Sequence, residues 1–107
     1  MIMEQNEPIE YPVDGILDLH TFRPIELKDL IPEYLSLCRQ RGIFQVRIIH
    51  GKGSGTLRRT VQAILQRIPE VSSFQQAGED AGGWGATIVR LRPYENYLDK
   101  EYSNIGS

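Results

Sequence analysis

The sequence is short of several things, and each shortage excludes a class of protein. It has one cysteine, Cys38, in 107 residues. No disulfide can form within the chain, and a reducing cytoplasm is the expected location. No apolar run approaches the ~20 residues of a membrane span. The opening residues Met1-Ile2-Met3-Glu4-Gln5-Asn6-Glu7 are acidic and lack the basic-then-apolar order of a secretory signal. There is no internal repeat and no low-complexity tract. The most telling absence is local. Asp and Glu are missing from Tyr34 to Pro69, although the whole chain carries 14 acids against 12 Lys and Arg. That stretch holds Arg39, Arg41, Arg47, Lys52, Arg58, Arg59 and Arg67, together with His50. A net charge of −2 therefore hides a basic face on an acidic body, the footprint of a polyanion binder. Arg39 and Arg67 read as solvated helix surface. Lys52, Arg58 and Arg59 cluster around a glycine turn.

A chain of this length makes one domain and buries roughly two-thirds of its unfolded surface. Residues 1–13, with Pro8 and Pro12, read as a mobile lead-in, and residues 94–107 as a C-terminal tail. Tyr94, Tyr97, Leu98 and Tyr102 could fold back along the body as a short helix. Between these ends the hydrophobic period switches four times. Ile16 to His20 is a short strand with Ile16, Asp18 and His20 on one face and Leu17 and Leu19 on the other. Leu27, Leu30, Ile31, Tyr34, Leu35 and Cys38 follow helical spacing, and Gly42 supplies the stop. Pro32 interrupts that helix, so its regular part is expected from about Leu30 to Arg41, capped by Asp29, with a separate turn at 24–28. A single kinked helix is the alternative. Cys38 reads as a buried small hydrophobe. Val46 to Ile49 is a continuous apolar strand, expected to be central and covered on both faces.

A second helix begins near Leu57, with Val61, Ile64, Leu65 and Ile68 on its apolar stripe and Pro69 ending it. Val71 to Ala77 and Ala86 to Leu91 are two more strands, separated by a flexible loop at 78–83. The order β-α-β-α-β-β predicts an α/β two-layer sandwich with a mixed four-stranded sheet. Strands one and two should be parallel through a right-handed crossover. Strand four should run antiparallel to strand three, because the loop is too short for a helical crossover.

The chemistry concentrates in three segments. His50-Gly51-Lys52-Gly53-Ser54-Gly55 joins a strand to a helix, where backbone N–H groups can approach an anion closely. It is not a nucleotide-binding P-loop: Val46 stands where the first glycine belongs, and Gly53 where the Mg²⁺-binding Ser or Thr belongs. Nucleoside triphosphate hydrolysis is therefore rejected. His20 ends the first strand as His50 ends the second, so both imidazoles, the only two in the chain, should project at the same edge of the sheet. Asp18 shares a strand face with His20. A carboxylate in an apolar strand needs a reason: either it is structurally paired, or it orients an imidazole or holds a cation. Gly82-Gly83-Trp84-Gly85-Ala86-Thr87 suggests close backbone approach. Trp84 would plug the sheet edge or stack on a base.

Together, Leu17-Asp18-Leu19-His20, His50-Gly51-Lys52-Gly53-Ser54-Gly55 and Gly82-Gly83-Trp84-Gly85-Ala86-Thr87 resemble the Smr (small MutS-related) domain family over about residues 14–93. The resemblance implies a fold similar to the C-terminal domain of translation initiation factor 3. It also implies nicking endonuclease activity on DNA or cleavage of RNA, in a DNA-repair setting. The family's L-D-x-H-G motif falls on Asp18 and His20, with Thr21 replacing the usual glycine. Its H-G-x-G motif falls on His50, Gly51 and Gly53, and its third glycine segment on Gly83 and Gly85. The chain looks like the free-standing bacterial form, without an attached MutS-like ATPase.

On this reading Asp18, His20 and His50 are the catalytic candidates, one imidazole acting as general base and the other as general acid. Gly51, Lys52, Gly53, Gly55, Arg58, Arg59, Gly83, Trp84 and Gly85 would bind phosphate or nucleic acid. RNA could supply its own 2′-OH and need no metal. DNA needs water as nucleophile, and a divalent ion (Mg²⁺ or Mn²⁺) on Asp18 would then serve. Glu79 and Asp80 are the only other acids nearby. The alternative is a non-catalytic module that docks on nucleic acid or a ribosome. A monomer is expected.

Overall fold

The computed structural model describes residues 12–78 and 85–93. Strand β1 spans Ile16–Asp18, α1 Leu27–Gln40, β2 Gln45–Ile49, α2 Thr56–Leu65, β3 Val71–Gln76 and β4 Ala86–Leu91. The sheet order is β1-β2-β4-β3. β1 and β2 are parallel, with Asp18 opposite Ile49. β4 runs antiparallel to both β2 and β3. The expected mixed four-stranded sheet in an α/β fold is thus the observed one.

One face of the sheet carries the core. Leu17, Leu19, Val46, Ile48, Val89 and Leu91 form a single cluster with Leu27, Ile31, Tyr34, Leu35 and Cys38 of α1 and Val61 and Leu65 of α2. Each fully buried aliphatic side chain there contributes roughly 1.5–3 kcal/mol. Val13, at the end of the expected lead-in, already belongs to this core. Among the described residues no helix covers the opposite face. In β2 Val46 and Ile48 are buried while Gln45 is exposed and Arg47 and Ile49 are half-buried. β2 is central, and both described helices cover the same one of its faces. Both helices pack on the same side, so the continuous apolar run reflects one buried face and a half-buried one.

The helix boundaries differ from expectation at both prolines. A 3₁₀ turn at Pro24–Glu26 precedes α1 as foreseen, and the Glu26 carboxylate accepts from the Arg23 N–H at 2.7 Å. The α-helix then starts at Leu27 and runs through Pro32, with Glu26 and not Asp29 at its N-cap. Pro32 cannot donate to the Lys28 carbonyl. Lys28 is exposed, so water can satisfy that oxygen. At the other end Gly42 (φ +78°) donates to Arg39 O, and Ile43 donates to Cys38 O at 2.8 Å. This paired closure satisfies the last carbonyls of α1. α2 ends at Leu65, short of Pro69. Arg67 and Ile68 donate to carbonyls three residues back, the tightened geometry of a helix end, and the residue before a proline disfavours helical backbone.

Tyr34 ties α1 to the start of β1. Its hydroxyl accepts from the Gly15 N–H at 3.1 Å and donates to Ile16 O at 3.2 Å. Burial pushes its phenol up to about 12. Cys38 is fully buried, and burial raises its thiol above the usual range. Among the described residues no helix is long and apolar enough to cross a membrane.

Candidate functional site

The parallel pair β1–β2 sends two loops to the same rim. Leu19 extends the ladder one step past Asp18, its N–H donating to Ile49 O at 2.9 Å. The chain then turns at His20. Beside it, β2 runs into the glycine turn that leads to α2. Between them lies a cleft of about 410 Å³ lined by His20, His50, Lys52, Gly55 and Arg58 among others, with no Asp or Glu among its lining residues. Both imidazoles therefore meet at one edge. A larger cavity of about 650 Å³ lies elsewhere, between α1 and α2, and contains neither histidine.

The two rings have different surroundings. Asp18 and His20 lie on the open side of the sheet, with 48% and 75% of their side chains exposed. Asp18 is not a buried charge, so the desolvation problem posed by its apolar neighbours does not arise. One carboxylate oxygen accepts both the His20 backbone N–H (3.0 Å) and its Nδ1 (2.9 Å). These bonds to His20 hold the Asp18 carboxyl below its ordinary range. An ionised carboxylate only accepts, so Nδ1 carries the proton. The lone pair of a neutral His20 is then on Nε2, which has no hydrogen-bond partner among the described residues.

His50 is 8% exposed because β2 alternates, and Val46, Ile48 and His50 share the helix-covered side. Its Nδ1 lies 3.1 Å from Gly51 O, and its Nε2 2.9 Å from Thr87 Oγ1. Burial, with a smaller effect from Arg58, lowers its pKa despite the Gly51 bond. Both ring nitrogens are engaged, so the symmetrical acid–base pairing of the two histidines is not what this geometry offers.

The third glycine segment supports the turn. Gly85 O accepts N–H groups from both His50 and Gly51 at 2.9 Å. A Cβ at Gly85 would lie 3.4 Å from the backbone of Gly51 and from Lys52 Cγ, at ordinary van der Waals contact with the turn. Gly51 (φ +83°) and Gly55 (φ +91°) adopt left-handed backbone, which favours glycine. No described residue accepts from the N–H groups of 52–55. They remain as donors beside Lys52. A Cβ at Gly55 would lie 3.4 Å from Arg58 Nη2 and 3.2 Å from Arg59 Nη1, so both guanidiniums reach the α2 end of the turn. Arg59 is outside the cleft lining. Arg39 is committed elsewhere, to Arg92 O. Glu79, Asp80, Gly83 and Trp84 lie outside the described residues.

Comparison with known proteins supports the fold. The family model described as "Smr domain" matches residues 17–92. The chain belongs to the Smr domain family. Over 83 residues it is 42% identical to "Endonuclease MutS2" of Halalkalibacterium halodurans, covering 78% of this chain and 11% of that protein. Over 66 residues it is 42% identical to the Thermomicrobium roseum protein of the same name, covering 62% of this chain and 8% of the relative. The chain thus spans about a tenth of the length of these relatives. The crystal structure of the Smr domain of Thermus thermophilus MutS2 superposes with a TM-score of 0.70 at 35% identity, covering 75% of this chain and all of that one. YdaL of Escherichia coli, a stand-alone small MutS-related protein, gives 0.66 at 28% identity, covering 78% and 68%.

This Smr domain also contains a site residue without an assigned role in the sequence reading. Thr87 sat inside a quoted motif. Its signal was a fully buried hydroxyl on the inward side of β4, paired in register with Ile48. Among the described residues no group of three or more His, Cys, Asp or Glu comes together. A divalent ion there would find one carboxylate and one imidazole among the described residues, Asp18 and His20.

Proposed function

We propose that this Smr domain binds nucleic acid through the glycine-turn cleft and cleaves a phosphodiester bond there, with His20 as the proton-handling group. The observation that carries the reading is the exposed Asp18–His20 pair on the rim of a cleft holding Lys52 and Arg58, with no Asp or Glu among its described lining residues. The Asp18 carboxylate fixes the His20 ring so that Nε2 is available as a base. The N–H groups of 52–55 and the Lys52 ammonium would stabilise charge growing on the phosphoryl oxygens. With RNA, the 2′-OH attacks phosphorus while Nε2 takes its proton. The bond to the 5′ oxygen breaks, leaving a cyclic phosphate and a hydroxyl that takes its proton from water. With DNA, water attacks phosphorus while Nε2 takes its proton, and one P–O ester bond breaks to leave a phosphate monoester on one end and, after proton uptake from water, a hydroxyl on the other.

The rival is a binding module that uses the same cleft without cutting. It is favoured by the engagement of both His50 nitrogens, which leaves one imidazole and not two for proton transfer. The deciding experiment assays purified protein on matched DNA and RNA, with and without chelator, against His20→Ala. Cleavage lost with binding kept supports the nuclease. Binding without cleavage by the intact protein under every metal condition supports the module.

A further inference from the structure

His50 is buried at the mouth of the cleft, yet the proposed reaction gives it no proton to move. We propose that Thr87 locks His50 as a neutral ring protonated on Nδ1, and that this pair positions the anion-binding turn. Neither residue is then an acid or a base in the reaction.

The assignment follows from what each partner can do. Gly51 O can only accept, so Nδ1, 3.1 Å away, carries the proton. In a neutral ring Nε2 then has only a lone pair. The Thr87 hydroxyl, 2.9 Å away, must donate to it. The charged ring would present N–H on both sides, with Thr87 accepting. Burial to 8% exposure works against that form. So do the charges around it. Arg58 of α2 and Lys52 of the turn line the same cleft, His20 follows β1, and no carboxylate is among the described lining residues.

The lock has a mechanical consequence. The start of the turn is held at the His50 N–H and the Gly51 N–H, both on Gly85 O, and at Gly51 O, held by the ring. Thr87 holds the ring from its far side. Gly51 cannot rotate its peptide without breaking one of these bonds. The donors that follow it, at 52–55, are thereby aimed before any ligand arrives, and pre-aimed donors need no reorganisation on binding. The positioning role rests on the nucleic-acid reading above, whereas the ring's protonation state does not.

The test uses ¹⁵N-labelled full-length protein and a short fluorescent single-stranded oligonucleotide, in RNA and DNA versions. The ring spectrum of the unmodified protein should show His50 neutral, with its proton on Nδ1, at pH 7. Thr87→Val should release that state, and oligonucleotide affinity should fall about tenfold, the loss of one good hydrogen bond. Thr87→Ser should keep both. A His50 ring that is charged at pH 7, or protonated on Nε2, overturns the proposal. So does a Thr87→Val protein with the lock lost and affinity unchanged. If the intact protein binds neither oligonucleotide, the nucleic-acid reading and the positioning role fail together, and the spectrum alone decides the lock.

Discussion

His20 ends β1 and His50 ends β2, and both line one cleft. Strand parity separates them. Asp18 and His20 follow Ile16 on the open side of the sheet, and His50 follows Val46 and Ile48 on the side covered by helices. The first ring gains a carboxylate and keeps a nitrogen for solvent or substrate. The second gains a hydroxyl and a carbonyl and has no nitrogen left. Which face of a strand a histidine belongs to decides here whether a ring nitrogen is left without a partner among the described residues.

The largest expected effect tests the chemical half of that contrast. His20→Ala should lower the cleavage rate by about 10²–10⁴-fold, the usual contribution of a positioned acid or base. Folding should be preserved, because the side chain is 75% exposed and its only side-chain hydrogen bond among the described residues is to Asp18. Single-turnover cleavage alongside a thermal melt checks both. A variant that cuts normally removes His20 from the mechanism.

The architectural half predicts the reverse pattern in stability. His50→Ala leaves the Thr87 hydroxyl and Gly51 carbonyl without their partner, and should cost about 1–3 kcal/mol. His20→Ala should stay within about 0.5 kcal/mol, as exposed substitutions do. Chemical denaturation of both variants reads the difference. Equal losses would mean that burial does not distinguish the two sites.

How far the contrast could be seen in the sequence depends on the strand. In Ile16-Leu17-Asp18-Leu19-His20 polar and apolar residues alternate, and the faces assigned from that pattern are those observed. Gln45 to Ile49 has Val46, Ile48 and Ile49 all apolar, so its alternation is hidden and the face of His50 could not be read. The same masking in Ala86 to Leu91 concealed Thr87, whose orientation depends on its pairing with β2. The element order and the parallel and antiparallel senses were legible, because loop length and period set them. Helix ends at Pro32 and Pro69 were not, because local solvent access and the last hydrogen bonds decide them. The convergence of His20 and His50 followed from topology, whereas the Gly85 clamp on the turn needed coordinates.

A smaller effect concerns the turn that the two histidines flank. Lys52 is exposed in the cleft, so its ammonium should act as one phosphate contact. Lys52→Ala should weaken binding at low salt and flatten the salt dependence by roughly 0.7–0.9 in log–log slope, one counterion's worth. Fluorescence anisotropy across a salt series measures it. An unchanged slope would move the phosphate site off the turn.

The smallest effect is the pH dependence of stability, and its sign separates the two rings. Burial lowers the pKa of His50 in the folded protein below its ordinary 6.5. Below that value the unfolded chain binds a proton that the folded chain resists. The stability is fully present above pH 6.5 and is lost as pH falls through 6.5 toward the folded pKa. This one residue can supply at most about 1.4 kcal/mol per pH unit in that window. Asp18, whose pKa is also lowered, titrates against an ordinary value of 3.8, so its share is lost at much more acid pH. Unfolding free energies measured between pH 7 and pH 5 should therefore fall in the native chain and fall less in His50→Gln. Parallel slopes in the two proteins would mean that His50 accepts its proton freely when folded, and the neutral ring on which the turn's geometry depends would have to be abandoned.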